Sequence, residues 1–399
     1  MLNIDKTSIV PFFQPIVCVD TCDIFGYEVL GRYCSEAKIQ SLGEFFHNPA
    51  ICFQDKVQVD RVIRFKALEM IKELDTQAKF FINIQPEWLM PFADQEKIMP
   101  TIEQLDKCNI NGEKIIIEIC EDSFTDINIL LELVKRYRDA GCKIAIDDVG
   151  AGFSNLERIA VLSPDYLKIS AGFINRSKSH HILESIGGFC SKSGVNLVLE
   201  EVEDINQLQM GLDAGVRYLQ GYFFAVPQPD IIEKTSCSPK VEQGLEQYWN
   251  RKQQSLQRHI QRSDSMNSLV NNIVNEAKTR YSTSSPNNYV RHLFPYLPDY
   301  CTRIYICDHH GVQLTPNYTR NQNEWLEKPE YIGRNWCWRP YFFRLVAEAQ
   351  RTGRGVLSES YLDLESRKSI HTFIFSVNGN LFLFIDCCYS GIGGSALDE

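Results

Sequence analysis

Five short apolar runs, each with a polar residue at or near its C-terminal end, constrain the fold of this chain most strongly. They are Lys-Phe-Phe-Ile-Asn (79–83), Lys-Ile-Ile-Ile-Glu (114–118), Lys-Ile-Ala-Ile-Asp (143–147), Asp-Tyr-Leu-Lys-Ile (165–169) and Asn-Leu-Val-Leu-Glu (196–200). Near-continuous apolar runs are typical of parallel strands buried on both faces. Gaps of about 20 to 35 residues leave room for a return helix after each strand. Repeated around a closed sheet, this pattern predicts an α/β fold, a (β/α)₈ barrel.

Acids and one amide stand at the predicted strand ends. Active sites of such barrels lie at the C-terminal rim, where residues distant in sequence converge. Carboxylates brought together raise each other's pKa values unless cations neutralise them. Oxygen donors without His or Cys favour Mg²⁺, Mn²⁺ or Ca²⁺ over Zn²⁺. The sequence therefore predicts a divalent metal site formed by Glu28, Asn83, Glu118, Asp147, Asp148 and Glu200.

The adjacent acids Asp147 and Asp148 suggest chemistry at phosphorus. One carboxylate can lie between two metal ions while the next binds the second ion alone, and paired ions about 3.5 to 4 Å apart suit in-line displacement. Lys168, near the end of the following strand, could orient or help deprotonate an attacking water. Taken singly, each acid could equally be a salt-bridge partner and the lysine a surface residue. Their common position at strand ends favours phosphodiester hydrolysis.

The segment Gly-Tyr-Glu-Val-Leu-Gly-Arg (26–32) is similar to the Glu-Ala-Leu motif of the EAL family of cyclic di-GMP phosphodiesterases. The resemblance extends in order and spacing through residues 8–230. Further matching positions are Gln-Pro-Ile (14–16), Asn83, Glu-Ile-Cys-Glu (118–121), Asp-Asp-Val-Gly-Ala-Gly-Phe-Ser-Asn-Leu (147–156), Lys168, Glu-Glu-Val-Glu (200–203) and Gln-Gly-Tyr (220–222).

The resemblance implies a role for each matching position. It implies Mg²⁺ or Mn²⁺ as the working ion, with Ca²⁺ inhibitory or non-productive, and cyclic di-GMP as the ligand. One ion would be held by Glu28, Asn83, Glu118 and Asp147, and a second by Asp147, Asp148 and Glu200. Lys168 would touch the nucleophilic water, and Gln14, Leu30 and Arg32 would contact the nucleotide. Gln220 would close the floor of the site, and Glu121 would brace the Asp-Asp loop, whose Gly150 and Gly152 suit a mobile lid.

Two positions depart markedly from the family pattern, and Gln85 for Ser and Val29 for Ala are milder departures. Ser170 stands where Lys-Ile-Asp is usual, so a carboxylate close to Lys168 is missing. Glu201 stands where Gly usually follows Glu200. Because Ser cannot supply charge, activation of the water could be poorly tuned. The resemblance therefore implies a cyclic di-GMP phosphodiesterase whose turnover could be slow. The alternatives are a receptor that binds the nucleotide without efficient turnover and a barrel that is only a scaffold for the C-terminal domain.

Length and composition predict three parts. The 399 residues, 44% apolar, allow a barrel over 1–232, a helical linker over 233–285 and a smaller domain over 286–399. Within the linker, helically spaced apolar residues predict two helices, with Ser-Asp-Ser (263–265) as the N-cap of the second. The linker is interpreted as a solvated spacer or as a dimer-coupling helix, and the chain is expected to form a homodimer.

The C-terminal part returns to strand-like runs at 301–307, 371–377 and 381–386, with turns at 308–311 and 378–380. These predict an antiparallel sheet flanked by helices, which resembles PAS-like and Cache-like sensor domains. Aromatic residues cluster beside Arg334 and Arg339. They form either a packed core or a pocket for a small ligand: Trp336, Trp338, Tyr341, Phe342 and Phe343.

Charge and hydropathy exclude several classes of partner. A formal net charge of -10 argues against DNA or RNA polymers, because such binding depends on Lys and Arg neutralising phosphates. No apolar stretch approaches the ~20 residues that span a bilayer, and no basic segment precedes an apolar one at the start of the sequence. We therefore expect a cytoplasmic protein without a membrane partner. The 14 cysteines show no paired CxxC framework and are expected to be reduced.

Overall fold

The computed structural model describes residues 5–35, 38–85, 88, 92, 98–120, 127–147, 149, 156–172, 180–280, 285–322 and 324–389. The chain divides into two compact units, Met1–Trp249 and Asn250–Glu399. The division falls inside the segment that the sequence indicated as a helical linker. None of the helices in these ranges is both long enough and apolar enough to cross a lipid bilayer.

The first unit alternates strands and helices in the order that the apolar runs predicted. Its strands are β1 (Ile9–Cys18), β2 (Ile24–Cys34), β3 (Ile39–Ser41), β4 (Lys79–Ile84), β5 (Ile115–Cys120), β6 (Lys143–Asp147), β7 (Tyr166–Ser170), β8 (Asn196–Glu200) and β9 (Tyr218–Gln220). Its helices are α1 (Gly43–His47), α2 (Phe53–Glu73), α3 (Pro100–Cys108), α4 (Ile127–Asp139), α5 (Leu156–Leu162), α6 (His180–Ser193) and α7 (Ile205–Asp213). The five predicted strands are thus confirmed as β4 to β8.

Eight of these strands close into a barrel, with β3 added at the outer edge of β2. Strands β2 and β4 to β9 run parallel to one another, whereas β1 is antiparallel to both β2 and β9. This differs from a regular (β/α)₈ barrel. Only the short turn between Cys18 and Ile24 joins β1 to β2, and a parallel crossover needs a dozen or more residues. Strands β1 and β2 therefore form an antiparallel hairpin.

Alternation along the strands separates two apolar regions. One side chain in two faces the barrel interior, where a compact layer contains Ile16, Phe81, Ile116, Ala145, Tyr166, Val198 and Tyr218. The intervening residues, such as Leu167 and Leu199, pack outward in the larger core shared with the helices. Burial of each large side chain contributes about 1.5 to 3 kcal/mol relative to exposure. The interior layer is therefore a packed floor. Polar residues two positions further along the strands face the same interior and lie at the mouth.

Helix α2 packs closely on strand β2. Val59, Ile63, Ala67 and Ile71 are buried at helical spacing and form the apolar face of the helix. A Cβ atom at Gly31 would lie 2.3 Å from Ile63 Cδ1. The Ile63 side chain thus fills the space beside Gly31, and α2 packs directly against the backbone of β2 at this point.

Helix α8 (Ser238–Arg280) is continuous, and the predicted break at 263–265 is wrong. The second half of the helix is anchored by tertiary contacts that outweigh the capping tendency of Ser and Asp. Met266 and Val270 are fully buried. Asn267 Nδ2 donates to the carbonyl of Gly355, and its Oδ1 accepts from the Gly355 amide, at 2.7 and 2.6 Å. These contacts fix the helical conformation through the segment.

The second unit contains the predicted antiparallel sheet with helices. Its strands are β10 (Cys301–Asp308), β11 (Asn317–Asn321), β12 (Glu324–Lys328), β13 (Val356–Leu357), β14 (Tyr361–Leu362), β15 (Ser369–Asn378) and β16 (Leu381–Cys387). The order is β12-β11-β10-β16-β15-β13, and β14 pairs with β15. Two further helices are α9 (Pro286–Leu293) and α10 (Phe342–Thr352). The predicted hairpin turn at 378–380 is confirmed between β15 and β16.

The aromatic cluster of the second unit is divided between core and surface. Phe342 is buried, whereas Trp338 and Phe343 are 59% and 70% exposed. The Arg339 guanidinium lies 4.7 Å from the Trp338 ring centroid and 5.7 Å from that of Trp336. Packed core is therefore the correct interpretation for only part of this segment, and the rest is a surface of stacked aromatic and cationic groups.

A buried ion cluster joins three strands of the second unit. Arg303 Nη2 lies 2.8 Å from Asp363 Oδ2, and Arg303 Nη1 lies 3.4 Å from Asp386 Oδ2. Both aspartates are 1% exposed. Thr372 Oγ1 donates to Asp386 Oδ1 at 2.7 Å. Because a buried charge without its partner is costly, the two carboxylates depend on Arg303.

We predict that Arg303→Met destabilises the protein by about 3 to 5 kcal/mol, because it leaves two buried carboxylates without their counter-ion. Urea unfolding of the full chain, followed by tryptophan fluorescence, measures the change. Arg291→Met is the matched control, since the Arg291–Glu327 pair is exposed and should contribute little. Equal losses for the two variants would contradict this account of the cluster.

Candidate active site at the barrel mouth

The polar residues of the mouth follow the interior apolar layer by two positions on each strand. Side chains separated by two residues share one face of a strand, so both layers face the barrel axis. The successive pairs are Phe81 and Asn83, Ile116 and Glu118, Ala145 and Asp147, Tyr166 and Lys168, Val198 and Glu200, and Tyr218 and Gln220. The strand period therefore brings residues spread over about a third of the chain, from Asn83 to Gln220, into one polar layer.

Lys168 lies at the centre of this layer and is fully buried. Its Nζ is 2.5 Å from Glu118 Oε1, 3.5 Å from Glu28 Oε2 and 3.6 Å from Asp147 Oδ1. It also contacts Glu200 Oε1. Four of the predicted acids thus surround one ammonium group, and the predicted convergence of these strand ends is observed.

Glu28 is held by amide side chains from two other strands. Asn83 Nδ2 donates to Glu28 Oε1 at 2.8 Å, and Gln220 Nε2 donates to Glu28 Oε2 at 2.7 Å. The same Gln220 Nε2 lies 3.2 Å from Gln14 Oε1. This chain of amides crosses β1, β9, β2 and β4. It fixes the Glu28 carboxylate on the side of the barrel where the sheet closes.

Burial and charge act in opposite directions on these groups. Burial raises the pKa of Glu118 well above its usual range, and the neighbouring Glu28 and Asp147 add to the effect, although Lys168 opposes it. Burial works in the same direction on Glu28, but Lys168, Gln220 and Asn83 together lower its pKa. Burial disfavours the ammonium form of Lys168, yet Asp147, Glu118 and Glu28 outweigh it and raise the pKa of the lysine. Lys168 is therefore a cation at neutral pH.

The arrangement fits a divalent cation. Carboxylate oxygens of Glu28, Glu118 and Glu200 lie within 4.8 Å of one another. Glu118 Oε2 is buried and has no hydrogen-bond partner among the described residues. Four carboxylates face one ammonium group, and the donors are oxygens without His or Cys, which suits Mg²⁺, Mn²⁺ or Ca²⁺. Asn83 uses its amide nitrogen on Glu28, so Oδ1 is the atom that could serve as a ligand.

Two residues of the predicted site lie outside the described residues. They are Asp148, assigned to the second metal ion, and Glu121, assigned to bracing the Asp-Asp loop. The loop glycines Gly150 and Gly152 lie outside them as well. The roles predicted for these four residues therefore stay predictions.

The predicted nucleotide contacts Leu30 and Arg32 continue the row that begins with Glu28 on β2. Both are half-buried. Arg32 Nη1 donates to the Gly31 carbonyl at 3.0 Å, and its guanidinium lies 5.8 Å from the Phe12 ring centroid. Burial lowers the pKa of Arg32, but a guanidinium group stays protonated in proteins. A partly desolvated guanidinium at the rim is suited to a phosphate group.

The two departures from the family pattern contact each other, which the sequence analysis missed. Ser170 Oγ donates to Glu201 Oε2 and accepts from the Gly172 amide at 3.0 Å. Ser170 and Glu200 are register partners on β7 and β8, so Glu201 follows directly beside Ser170. Glu201 has a φ of 54°, in the left-handed region that costs a non-glycine residue about 1 kcal/mol or more. The contact could have been inferred from the sequence, because the strands that precede Ser170 and Glu201 are neighbours in the predicted barrel.

Comparison with protein families identifies both halves of the chain. Residues 2–227 match the EAL domain, and residues 231–392 match the EAL-domain associated signalling protein domain. The first match alone covers more than half of the sequence. The chain belongs to the EAL family. The family resemblance drawn from the motifs is thereby confirmed.

Relatives match over the whole chain or over its EAL part. The chain is 33% identical over 395 residues to YkuI of Bacillus subtilis, an uncharacterized EAL-domain containing protein, covering 98% of this chain and 96% of that protein. It is 24% identical over 248 residues to the cyclic di-GMP phosphodiesterase RocR of Pseudomonas aeruginosa, covering 59% of this chain and 62% of RocR.

Solved structures of relatives contain nucleotide and metal. The crystal structure of Bacillus subtilis YkuI, in complex with its substrate cyclic di-GMP and calcium, has a TM-score of 0.91 and 32% identity, covering 97% of this chain and 98% of that chain. A manganese and cyclic di-GMP complex of Klebsiella pneumoniae BlrP1 has a TM-score of 0.51 and 25% identity, covering 57% and 58% of the two chains. EAL structures thus bind divalent metals together with cyclic di-GMP.

We predict that Mn²⁺ stabilises the protein more at pH 8 than at pH 5. The folded-state pKa of Glu118 is raised, so the stability that this group contributes is present at low pH and is lost as the pH rises through that pKa. A cation must displace the proton at low pH but not at high pH. With saturating MnCl₂ against a chelator, we expect a rise in Tm on the order of 5 °C at pH 8.

Glu118→Gln tests the same prediction, because it removes both the charge and the titration. The variant should lose most of the Mn²⁺-dependent rise in Tm and its pH dependence. Glu246→Gln, at an exposed position on α8, is the control for loss of one carboxylate. A Tm shift that is equal at both pH values in the unmodified protein would contradict the role given to Glu118.

Proposed function

We propose that this protein binds cyclic di-GMP with Mg²⁺ or Mn²⁺ at the barrel mouth and hydrolyses it to the linear dinucleotide pGpG. The observation that carries the proposal is the ring of Glu28, Glu118, Asp147 and Glu200 around the buried Lys168. Such a ring has the composition required for a divalent cation and for displacement at phosphorus. Relatives named as cyclic di-GMP phosphodiesterases support the choice of nucleotide.

The proposal divides the chemistry between cation and protein. Divalent cations, when bound, would polarise the phosphoryl oxygens and lower the pKa of the attacking water. The carboxylates of Glu28, Glu118 and Glu200, with the amide oxygen of Asn83, would hold them. Arg32 would bind a phosphate oxygen through its planar guanidinium. Leu30 and Gln14 would contact the nucleotide, and Gln220 would keep Glu28 in position from the floor of the site.

Lys168 and Glu200 have different tasks in this scheme. Because the surrounding acids raise the pKa of Lys168, the lysine donates hydrogen bonds and orients the water or the phosphate rather than accepting a proton. Glu200, with its side chain 16% exposed, is the most accessible of the four acids around the lysine. We assign Glu200 as the carboxylate that faces the reacting water.

A receptor function is the second candidate, and Ser170 is the observation that favours it. The hydroxyl brings no charge to a position where the family usually has an acid. In that case the mouth would bind cyclic di-GMP and the bound form would act as the signal, with little hydrolysis. Product chromatography distinguishes the two functions, because only the enzyme accumulates pGpG.

We predict that Glu200→Gln lowers turnover of cyclic di-GMP by about 10² to 10⁴-fold. Metal-dependent binding should stay within a few-fold, because the glutamine amide oxygen still offers the cation one ligand atom. The variant keeps the size of the side chain but removes the carboxylate that faces the water. Calorimetry with cyclic di-GMP and Ca²⁺ measures binding, and chromatography with Mg²⁺ or Mn²⁺ measures turnover. Glu246→Gln again serves as the control, and failure of the unmodified protein to bind cyclic di-GMP with any divalent cation would refute the proposal.

We also propose that the protein is a homodimer in which the C-terminal unit regulates the barrel. Leu256 and Ile260 are four residues apart on α8 and are 59% and 50% exposed, so they form an apolar stripe on the helix surface. An apolar stripe of this kind is suited to pairing with the same helix of a second copy.

We predict that Leu256→Glu combined with Ile260→Glu converts the dimer into a monomer, because four charges would then meet across the paired stripes. Multi-angle light scattering gives the mass directly. Gln257→Glu, at the exposed position next to the stripe, should leave the mass unchanged. A double variant that keeps the dimeric mass, or an unmodified protein that is monomeric, would contradict the assignment.

A further inference from the structure

The contact between Ser170 and Glu201 joins the two marked departures of this chain from the family pattern. Ser170 Oγ is both donor and acceptor: it donates to the Glu201 carboxylate and accepts from the Gly172 amide. An aspartate at 170 could still accept from Gly172, but it could not donate to Glu201. Ser170 and Glu201 can therefore form a hydrogen bond with each other. The usual family residues could not replace them singly, because Asp at 170 has no hydrogen to donate to Glu201 and Gly at 201 has no side chain to accept from Ser170.

The position of Ser170 places this contact at the mouth. Tyr166 belongs to the interior apolar layer and Lys168 to the polar layer, so Ser170 is the next inward residue of β7. The Glu201 carboxylate that contacts Ser170 consequently lies on the rim above Lys168. It occupies the neighbourhood in which the carboxylate of an aspartate at 170 would lie.

The backbone at Glu201 brings its side chain to this place. Glu200 faces the barrel interior, so continued alternation would turn the next side chain away from the mouth. The φ of 54° at Glu201 ends the strand in the left-handed region, and the carboxylate reaches across to Ser170. Glycine adopts this conformation without strain, which explains why glycine suits the position. Because glutamate adopts this conformation at an energetic cost, its presence here favours a functional role for the side chain.

We propose that Glu201 supplies the rim carboxylate that the family usually places at position 170, so that the two departures are one compensated exchange. The inference rests on the proposed function and deepens it, because it assigns Glu201 as a positioning residue for the cation and water beside Lys168. Hydrolysis is then not weakened by the loss of an acid at 170. The negative charge has moved from β7 to the end of β8.

The exchange reverses the simple expectation for restoring an aspartate. In Ser170→Asp, two carboxylates would face each other across the Ser170–Glu201 contact, with no hydrogen to share. In Glu201→Gly, the rim would lose its carboxylate while the backbone became unstrained. Only the combined variant, Ser170→Asp with Glu201→Gly, would recreate one acid at the rim on a relaxed backbone.

A double-mutant cycle on the full chain tests the proposal without nucleotide. We expect each single variant to weaken Mn²⁺ binding by about ten-fold and the combined variant to return within about three-fold of the unmodified protein. Calorimetric titration with Mn²⁺ alone gives these affinities. Glu201→Gln keeps the shape and the positive φ but lacks the charge, so it should match Glu201→Gly in Mn²⁺ affinity while differing from it in Tm.

The outcomes separate this inference from the function on which it rests. Losses that multiply to about a hundred-fold in the combined variant would overturn the exchange, as would stronger Mn²⁺ binding in Ser170→Asp alone or no Mn²⁺ binding by the unmodified protein. A cycle that holds for Mn²⁺ while no variant turns over cyclic di-GMP supports the exchange and refutes hydrolysis. Turnover by the unmodified protein with independent losses supports hydrolysis and refutes the exchange.

Discussion

The mouth of the barrel depends on one buried cation, Lys168, and the carboxylates that enclose it. A fully buried ammonium group is unfavourable unless it is paired, and several carboxylates at low exposure are unfavourable unless they are neutralised. Each half of the arrangement therefore requires the other. Because the acids outnumber the lysine, the layer retains negative charge after this pairing, and that residual charge suits divalent ions. The stability of the mouth and the function proposed for it thus depend on the same group of charges.

The sequence contained enough to predict the mouth because the polar residues follow a strict strand period. Apolar runs gave the parallel strands, and their polar ends gave Glu118, Asp147 and Glu200. Other features depend on information that a local pattern lacks. The antiparallel direction of β1 follows from the length of one turn, and the continuity of α8 follows from contacts such as Asn267 with Gly355. Here tertiary packing overrides the local capping signal.

Ser170 and Glu201 show a second limit of reading a sequence position by position. When each position is compared separately with the family pattern, Ser170 indicates the loss of an acid and Glu201 indicates the gain of an additional one. The two are 31 residues apart in the chain and in contact in the fold. Strand register brings the positions together, and a backbone torsion directs the second side chain. Register could be inferred from the barrel order, whereas the left-handed φ of Glu201 could not be inferred from composition or periodicity.

The hydrogen bonds that link Gln14, Gln220 and Glu28 determine when this part of the site can form during folding. Gln14 and Gln220 are separated by 206 positions, so this part of the pocket exists only after the last barrel strand has docked against the first. A ribosome-bound fragment that ends before β9 would contain most of the acids without the groups that orient them. Contacts of such long sequence separation form late and slowly during folding. The part of the mouth that holds Glu28 is therefore complete only once β9 has paired with β1, so a barrel that lacks β9 also lacks the amide that fixes this carboxylate.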